Sequence, residues 1–547
     1  MNTGHLVAAQ PEICHRFYIA IVECLVERPI RFEHRAVIPL PVGVRLVRRL
    51  VRRLVRHASA PHMLDLMQSI RNSLRKASRA RLIGLLAPAA GVSLLLGASA
   101  CSDDIQQAQP QRQIQVQTAP QPNESEPPTQ AASQSQLESQ AQPAQPTQQE
   151  RQTAAVGAQH PTFLPRDATE TAEGIPIIRD DLRHPVYGRD WSTEWGIRII
   201  EFDELLQGAV RDRIPALTGP NYVTLAEAST YYSEETPLVQ INVKGDPRGY
   251  PLEILTWHEI VNDIVGGVPV TVTFCPLCNT AIAFESQIGE EVYQFGVSGL
   301  LRNSDLVMYD RNTESLWQQS SGRAIVGRMV GARLRYVPAS IVSFGQLRSA
   351  FPDALILSRE TGWPRAYGQN PYRNYDNPET GGPYGIFFDR DSIDPRLPPA
   401  ERVVAIEGPS GAAVAYAWSA LEAERALHDS FDGIDLVVFW TPGARSALDA
   451  SVISNARQVG ATAVFETSLD GRTLSFQPNP DDASDQTFVD EQTGSTWDIF
   501  GRGLAGPLEG EQLTRVIHSD HFWFAWQAFH PTTRLLQLVE HDPTADQ

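Results

Sequence analysis

Short apolar runs separated by Gly- and Asp-rich turns dominate the chain from about residue 163 onward. Two long stretches show the same order of patterns. "YPLEILTWHEIVNDIVGGVPVTVTFCP" and "AAVAYAWSALEAERALHDSFDGIDLVVFWTP" each read as a β-rich run, a short helical segment and a second β-rich run. Within them, Thr256-Trp-His-Glu259 and Ser419-Ala-Leu-Glu422 have the form of capping boxes, which would start the two helices at Thr256 and Ser419. Gly266-Gly267 and Asp432-Gly433 then turn each chain into its next strand, and Asp470-Gly471 marks a further hairpin. The pattern predicts an α+β, strand-rich fold made of two related units, each opening with a β-α-β element.

The likeness continues downstream. "MYDRNTESLWQQ" and "FVDEQTGSTWDI" place Asp310, Thr313, Ser315 and Trp317 opposite Asp490, Thr493, Ser495 and Trp497. This organises residues 163–360 as a first unit and 401–547 as a second. Residues 361–400 are the connecting loop between them.

Composition changes sharply before residue 163. The stretch 101–162 is Gln, Pro and Ser with almost no large apolar residues, and it reads as a disordered tether. Residues 67–100 carry a basic opening, an apolar run and small residues before Cys101, the layout of an export signal. "ASAC" resembles a lipobox, with Ala98 where Leu is usual, and Ala98-Ser-Ala100 also meets the small-x-small rule of ordinary cleavage. Cys101 is the expected lipidation site, which would make the protein an exported cell-envelope lipoprotein, periplasmic or on the outer surface. Residues 1–66 are read as sequence upstream of the true start, and Cys14 and Cys24 fall within them. The net charge is −18, and positive charge is concentrated ahead of the tether. So acidic a body excludes nucleic acid as a partner, leaving a membrane reached through the lipid anchor and an unknown small ligand or envelope protein.

Of five cysteines, only Cys275 and Cys278 then remain for chemistry. A β-α-β connection would bring the end of the second strand, where Cys275 lies, to the edge where the helix begins. That reading places His258 beside the Cys275-Pro-Leu-Cys278 turn, with Glu259 and Asp263 close by, and lets the helix amino terminus favour thiolate. The second stretch has Leu421 for His258 and Thr441 for Cys275, yet keeps Pro442 opposite Pro276. Sulfur and imidazole are therefore additions to a scaffold that exists without them. Two thiolates and an imidazole suit copper or zinc, and a Cys-x-x-Cys pair also suits thiol redox chemistry. Asn279 excludes covalent haem, whose attachment motif needs His there. The alternative is a non-catalytic binding or structural module with the cysteines as packing or a structural disulfide. In it the 361–390 segment, with Arg365, Tyr367, Asn370, Tyr372 and Tyr375, lines a ligand cleft. Met308 reads as a strand core residue, and His518 and His521 as the rim of an aromatic core.

"WHEIVND", "TFCPLCNTAIAF", "GVSGLLRNSDLVMYDRNTESLWQQ", "YGQNPYRNYD" and "DEQTGSTWDIFGRGLAGPL" together resemble the exported bacterial and archaeal family named domain of unknown function 3179. The resemblance spans roughly residues 175–535. It implies export but carries no agreed activity, so no catalytic residue follows from it and the chemistry rests on the residues themselves.

Overall fold

Strand formation in this chain is driven by hairpins whose turns need left-handed backbone. Lys244-Gly245, Gly266-Gly267, Asp432-Gly433 and Asp470-Gly471 all have positive φ at both positions, the requirement of tight two-residue hairpin loops. Each joins two antiparallel strands. In this computed structural model, described for residues 167–377 and 382–537, 40% of the structure is strand and 11% helix. The described residues belong to one compact unit spanning Gln134–Gln547. The residues read from sequence as a start region, an export signal, the lipidation site Cys101 and a tether lie outside them.

The fold is a β-propeller-like arrangement of small sheets, not an α+β fold of β-α-β units. The decisive feature is the route of the first helix. Strand Asp246–Pro251 belongs to the sheet ordered Ala339–Ser343, Pro237–Val243, Asp246–Pro251, Leu355–Leu357, Tyr222–Thr224. Helix Leu252–His258 follows it directly, but the next strand, Ile260–Val265, joins a different sheet, ordered Arg335–Val337, Thr280–Glu285, Val268–Cys275, Ile260–Val265, Leu217–Thr218. A helix of 7 residues rises only about 10 Å, while a six-residue strand spans about 20 Å, so it cannot carry the chain back for a parallel pairing. It steps between sheets instead.

The helix is also placed earlier than its sequence signature predicts. Leu252–His258 starts after Pro251 and ends at Glu259, a carboxyl-terminal cap with φ 58. Thr256 and Glu259 therefore form no capping box, and His258 lies in the last turn. The second helix also starts earlier than expected, by less, running Trp418–Glu424 with Arg425 at φ 61 as its cap. Apolar Leu252, Ile254 and Leu255 outweigh the Thr-x-x-Glu signature because burying them fixes the helix against the core.

What recurs in the two halves is a sheet order and a hydrogen-bonded turn. Strands Ser519–Phe522, Arg402–Glu407, Ala413–Ala417 and Arg534–Leu536 repeat the order of the first four strands of the first sheet, with the third and fourth parallel in both. Trp317 Nε1 donates to Asp310 at 2.9 Å and Trp497 Nε1 to Asp490 at 3.0 Å. Thr313 N and Thr493 N each donate to the same aspartates at 2.6 Å. Both aspartates are fully buried, so each depends on these donors. Replacing Thr493 with Val removes its hydroxyl donor from Asp490 while keeping the shape, and is expected to cost about 1–3 kcal/mol in urea unfolding. Thr313→Val should cost a similar amount; a loss at one position only would show that the two turns are not energetically equivalent.

Candidate metal centre

Cys275 closes the strand Val268–Cys275, and the chain turns through Pro276 and Leu277 back into Thr280–Glu285, with Thr280 opposite Cys275. The turn is tied by Cys278 N donating to Cys275 O at 3.2 Å, and Asn279 completes it with φ 53. A second hairpin turn meets it. Asn303 and Ser304, both with positive φ, link Phe295–Arg302 to Asp305–Asp310 and place Asp305 at the start of the returning strand. Both thiols point at the Ser304 carbonyl, Cys278 Sγ at 3.5 Å and Cys275 Sγ at 3.8 Å.

Cys275, Cys278 and Asp305 are all buried, and their Sγ, Sγ and carboxylate oxygen lie within 4.8 Å of one another. The two cysteines are free thiols. One Asp305 oxygen, Oδ2, accepts from Ser320 N at 3.0 Å and from Gln318 Nε2. The other, Oδ1, has no hydrogen-bond partner, and the Tyr375 hydroxyl and Asn279 Nδ2 beside the thiols have none either. Buried polar atoms are nearly always paired, so three unpaired around one cluster mark a place built for something else. The Cys278 thiol and the Asp305 carboxylate act on each other through charge and a close thiol–carboxylate contact, although no hydrogen bond of full geometry reaches Oδ1.

Electrostatics sharpen this. Burial pushes the Cys275 and Cys278 thiols up, Cys278 furthest, and burial likewise raises Asp305. Glu259, at the helix cap, is pushed up to about 8 by burial, against a hydrogen bond from the Tyr372 hydroxyl at 3.3 Å and with the charge of Asp305 adding to the rise. No ion pair reaches Asp305 or Glu259 among the described residues. Four acidic groups thus sit in one dry region without a counter-charge, which is the reverse of the thiolate-favouring helix amino terminus expected from sequence.

His258 is not in this cluster. Its Nδ1 meets Pro215 O at 2.7 Å and its Nε2 the Tyr367 hydroxyl at 2.7 Å, so both ring nitrogens are engaged. Burial drops it to about 4, which keeps the ring neutral. Tyr367 also bonds Thr361, and Arg365 donates to Arg213 O at 3.4 Å near the Trp257 ring. Asp263 accepts from Tyr250 at 2.7 Å and from Tyr222. His258, Asp263, Arg365 and Tyr367 thus have their partners away from the thiols, whereas Tyr372 and Tyr375 of the connecting segment cover them. Asn370 binds the 450–451 loop, Met308 is core, and His521 is held between Thr280 Oγ1 at 2.8 Å and Ser519 Oγ at 2.7 Å. His518 turns its Nδ1 to Val516 O at 2.8 Å.

The second half keeps Thr441 opposite Cys275 but corrects the position opposite His258, which is Glu424 and not Leu421. Phe274 N donates to Glu259 O and Trp440 N to Arg425 O, both at 2.8 Å, which sets Glu259 against Arg425, His258 against Glu424 and Cys275 against Thr441. Asp305 was not singled out from sequence. Its one local signal is Asn-Ser-Asp set between the apolar runs "GLL" and "LVMY", a turn followed by an acid where a strand begins. Among the described residues no helix is long and apolar enough to cross a membrane.

Comparison with curated proteins and comparison with solved structures find no match. A family model does match residues 211–533, well over half of the chain and including the whole cluster, and on that match the chain belongs to the family described as "Protein of unknown function (DUF3179)".

Proposed function

We propose that this protein binds a single zinc ion through Cys275, Cys278 and Asp305, as an exported protein held to a membrane by lipid on Cys101. The observation that carries the metal reading is the unpartnered Oδ1 of fully buried Asp305, gathered with two thiols inside 4.8 Å. Tetrahedral zinc with sulfur at about 2.3 Å needs ligand atoms roughly 3.5–4 Å apart, which the cluster allows. One bound dication would reverse the penalty on every acidic group at once, giving thiolates and carboxylates the counter-charge they lack. Glu259 acts on Cys275 through its charge but is not among the ligand atoms gathered within 4.8 Å, which leaves the fourth position open. The carboxylate favours zinc over copper(I), which prefers sulfur alone. The lipid anchor and export rest on the sequence of residues 67–101.

Metal analysis of the purified full chain, followed by zinc titration against a chromophoric chelator, tests the metal reading. The expected result is one equivalent of zinc in the unaltered protein. Cys275→Ser and Cys278→Ser should each weaken binding by at least on the order of a hundredfold, since each removes a thiolate ligand. Equal zinc affinity in wild type and both variants would overturn it. A Cys275–Cys278 disulfide that persists in the presence of zinc would favour the thiol-redox or packing reading instead.

A further inference from the structure

A second site lies apart from the thiols. A cavity of about 550 Å³ opens between the Arg335–Val337 edge of one sheet and the segment 515–519, with Trp526 and His530 at its side. That size is in the range of small-molecule sites. Its wall carries an apolar share, from Leu334, Val337, Ile434 and Leu436 to Trp526, beside a comparable polar one. The charges in it are not alike. Arg333 meets Glu407 at 2.6 Å and Arg323 meets the same carboxylate at 3.3 Å, while Arg335 pairs with Glu285 at 3.2 Å. These three guanidinium groups are neutralised by the protein itself.

Arg515 is different. It makes no ion pair among the described residues; its guanidinium donates to Ser340 Oγ, and its Nε is buried without a partner. Asp520, the acid whose charge reaches it, spends Oδ1 on Thr462 at 2.9 Å. Of the acids in the wall besides Glu407, Asp432 accepts from Ser410 N at 2.8 Å, Glu173 faces Arg323 at 3.5 Å, and Glu466 is itself raised by burial. His518 beside it is held neutral, so it adds no second positive charge. Burial pulls Arg515 down to about 10, against the opposing charge of Asp520. An interior guanidinium without a carboxylate is costly unless something supplies one. Arg515 is half-buried and belongs to the lining of the cavity.

We infer that this cavity is a binding site for a small organic acid with one carboxylate and an apolar body, anchored by Arg515. The planar fork of a guanidinium matches a carboxylate through two parallel hydrogen bonds. A single unpaired positive charge matches one negative charge rather than a phosphate dianion, and the apolar share of the wall matches a hydrocarbon or aromatic remainder. This site is independent of the zinc reading.

The test is calorimetric titration of the full chain with benzoate and hexanoate, beside their neutral amides and inorganic phosphate. Both acids are expected to bind, the amides at least thirtyfold more weakly, and phosphate more weakly than either acid. Arg515→Gln should abolish the preference for acid over amide while unfolding at the same temperature as wild type or higher, since it removes an unpaired buried charge. The inference is overturned if neither acid binds, if the amides bind as well as the acids, or if Arg515→Gln keeps the preference. The acid-to-amide comparison uses the unaltered protein, so it decides the matter even where the variant does not fold.

Discussion

Asp376→Ala is expected to cost about 3–5 kcal/mol of stability, the range for removing one partner of a buried ion pair. Asp376 is fully buried and meets Arg402, itself nearly buried, together with Arg457 at 3.3 Å and the Ser446 hydroxyl at 2.6 Å. Removing the carboxylate leaves the Arg402 guanidinium inside the protein without its ion-pair partner, with only the charge of Asp520 acting on it, and that poorly compensated charge is the main penalty. Asp376→Ala combined with Arg402→Met should recover much of the loss, because it removes both charges together. Urea unfolding of the three variants checks this; a single-variant loss below about 1 kcal/mol would place the pair among those that contribute little net stability. Burial by itself would raise Asp376, but the charges of Arg402 and Arg457 more than reverse that and hold it below the usual carboxylate range. Its folded pKa is thus lower than its unfolded value of about 3.8, so its contribution is complete above that pH and is lost as pH falls through the folded value. Asp376→Asn should flatten that acid limb of the stability curve. Because Asp376 follows Tyr375 directly, the same variants should also loosen the cover over Cys275 and Cys278.

Asp305→Asn is expected to move metal affinity and metal-free stability in opposite directions. The amide oxygen can still accept from Ser320 N and Gln318, so the turn keeps its shape. What disappears is the buried negative charge and the free Oδ1. Zinc binding should weaken by on the order of a thousandfold, equivalent to about 4 kcal/mol. The metal-free protein should gain about 1–3 kcal/mol, the scale of leaving a buried polar group unsatisfied. Stability measured with chelator and with saturating zinc separates the two effects, since bound ligand adds stability only where it binds the folded state. A variant destabilised in both conditions would make Asp305 a structural residue and remove the central support for the zinc site. This opposition between function and stability is a common mark of a ligand-holding residue.

The hairpins of this protein were legible residue by residue. Gly266-Gly267, Asp432-Gly433 and Asp470-Gly471 announce tight turns, and the structure gives each the positive φ those residues tolerate. The likeness of Asp310-x-x-Thr-x-Ser-x-Trp317 to Asp490-x-x-Thr-x-Ser-x-Trp497 was equally visible, and the same hydrogen bonds form in both. So was the place of Cys275 at a strand end with Cys278 in the following turn. These features depend on residues within a few positions of one another.

The helix register and the choice of partner for the thiols were not legible in this way. Thr256-Trp-His-Glu259 has the form of a helix start, yet packing of Leu252, Ile254 and Leu255 makes it a helix end, turning Glu259 inward and committing both nitrogens of His258 elsewhere. The expected β-α-β connection then becomes a step from one sheet to the next, and with it the α+β assignment is replaced by propeller-like sheets. Asp305 reaches the cysteines because two separate hairpin turns meet, one at Cys275–Cys278 and one at Asn303–Ser304. Sequence by itself determined the turns, the strands beside them and the two sulfur atoms, since backbone preference and short-range hydrogen bonding are local. Only the tertiary structure decided that an aspartate, and not a histidine, stands beside that sulfur, because which turns meet is set by how whole sheets bury their apolar faces.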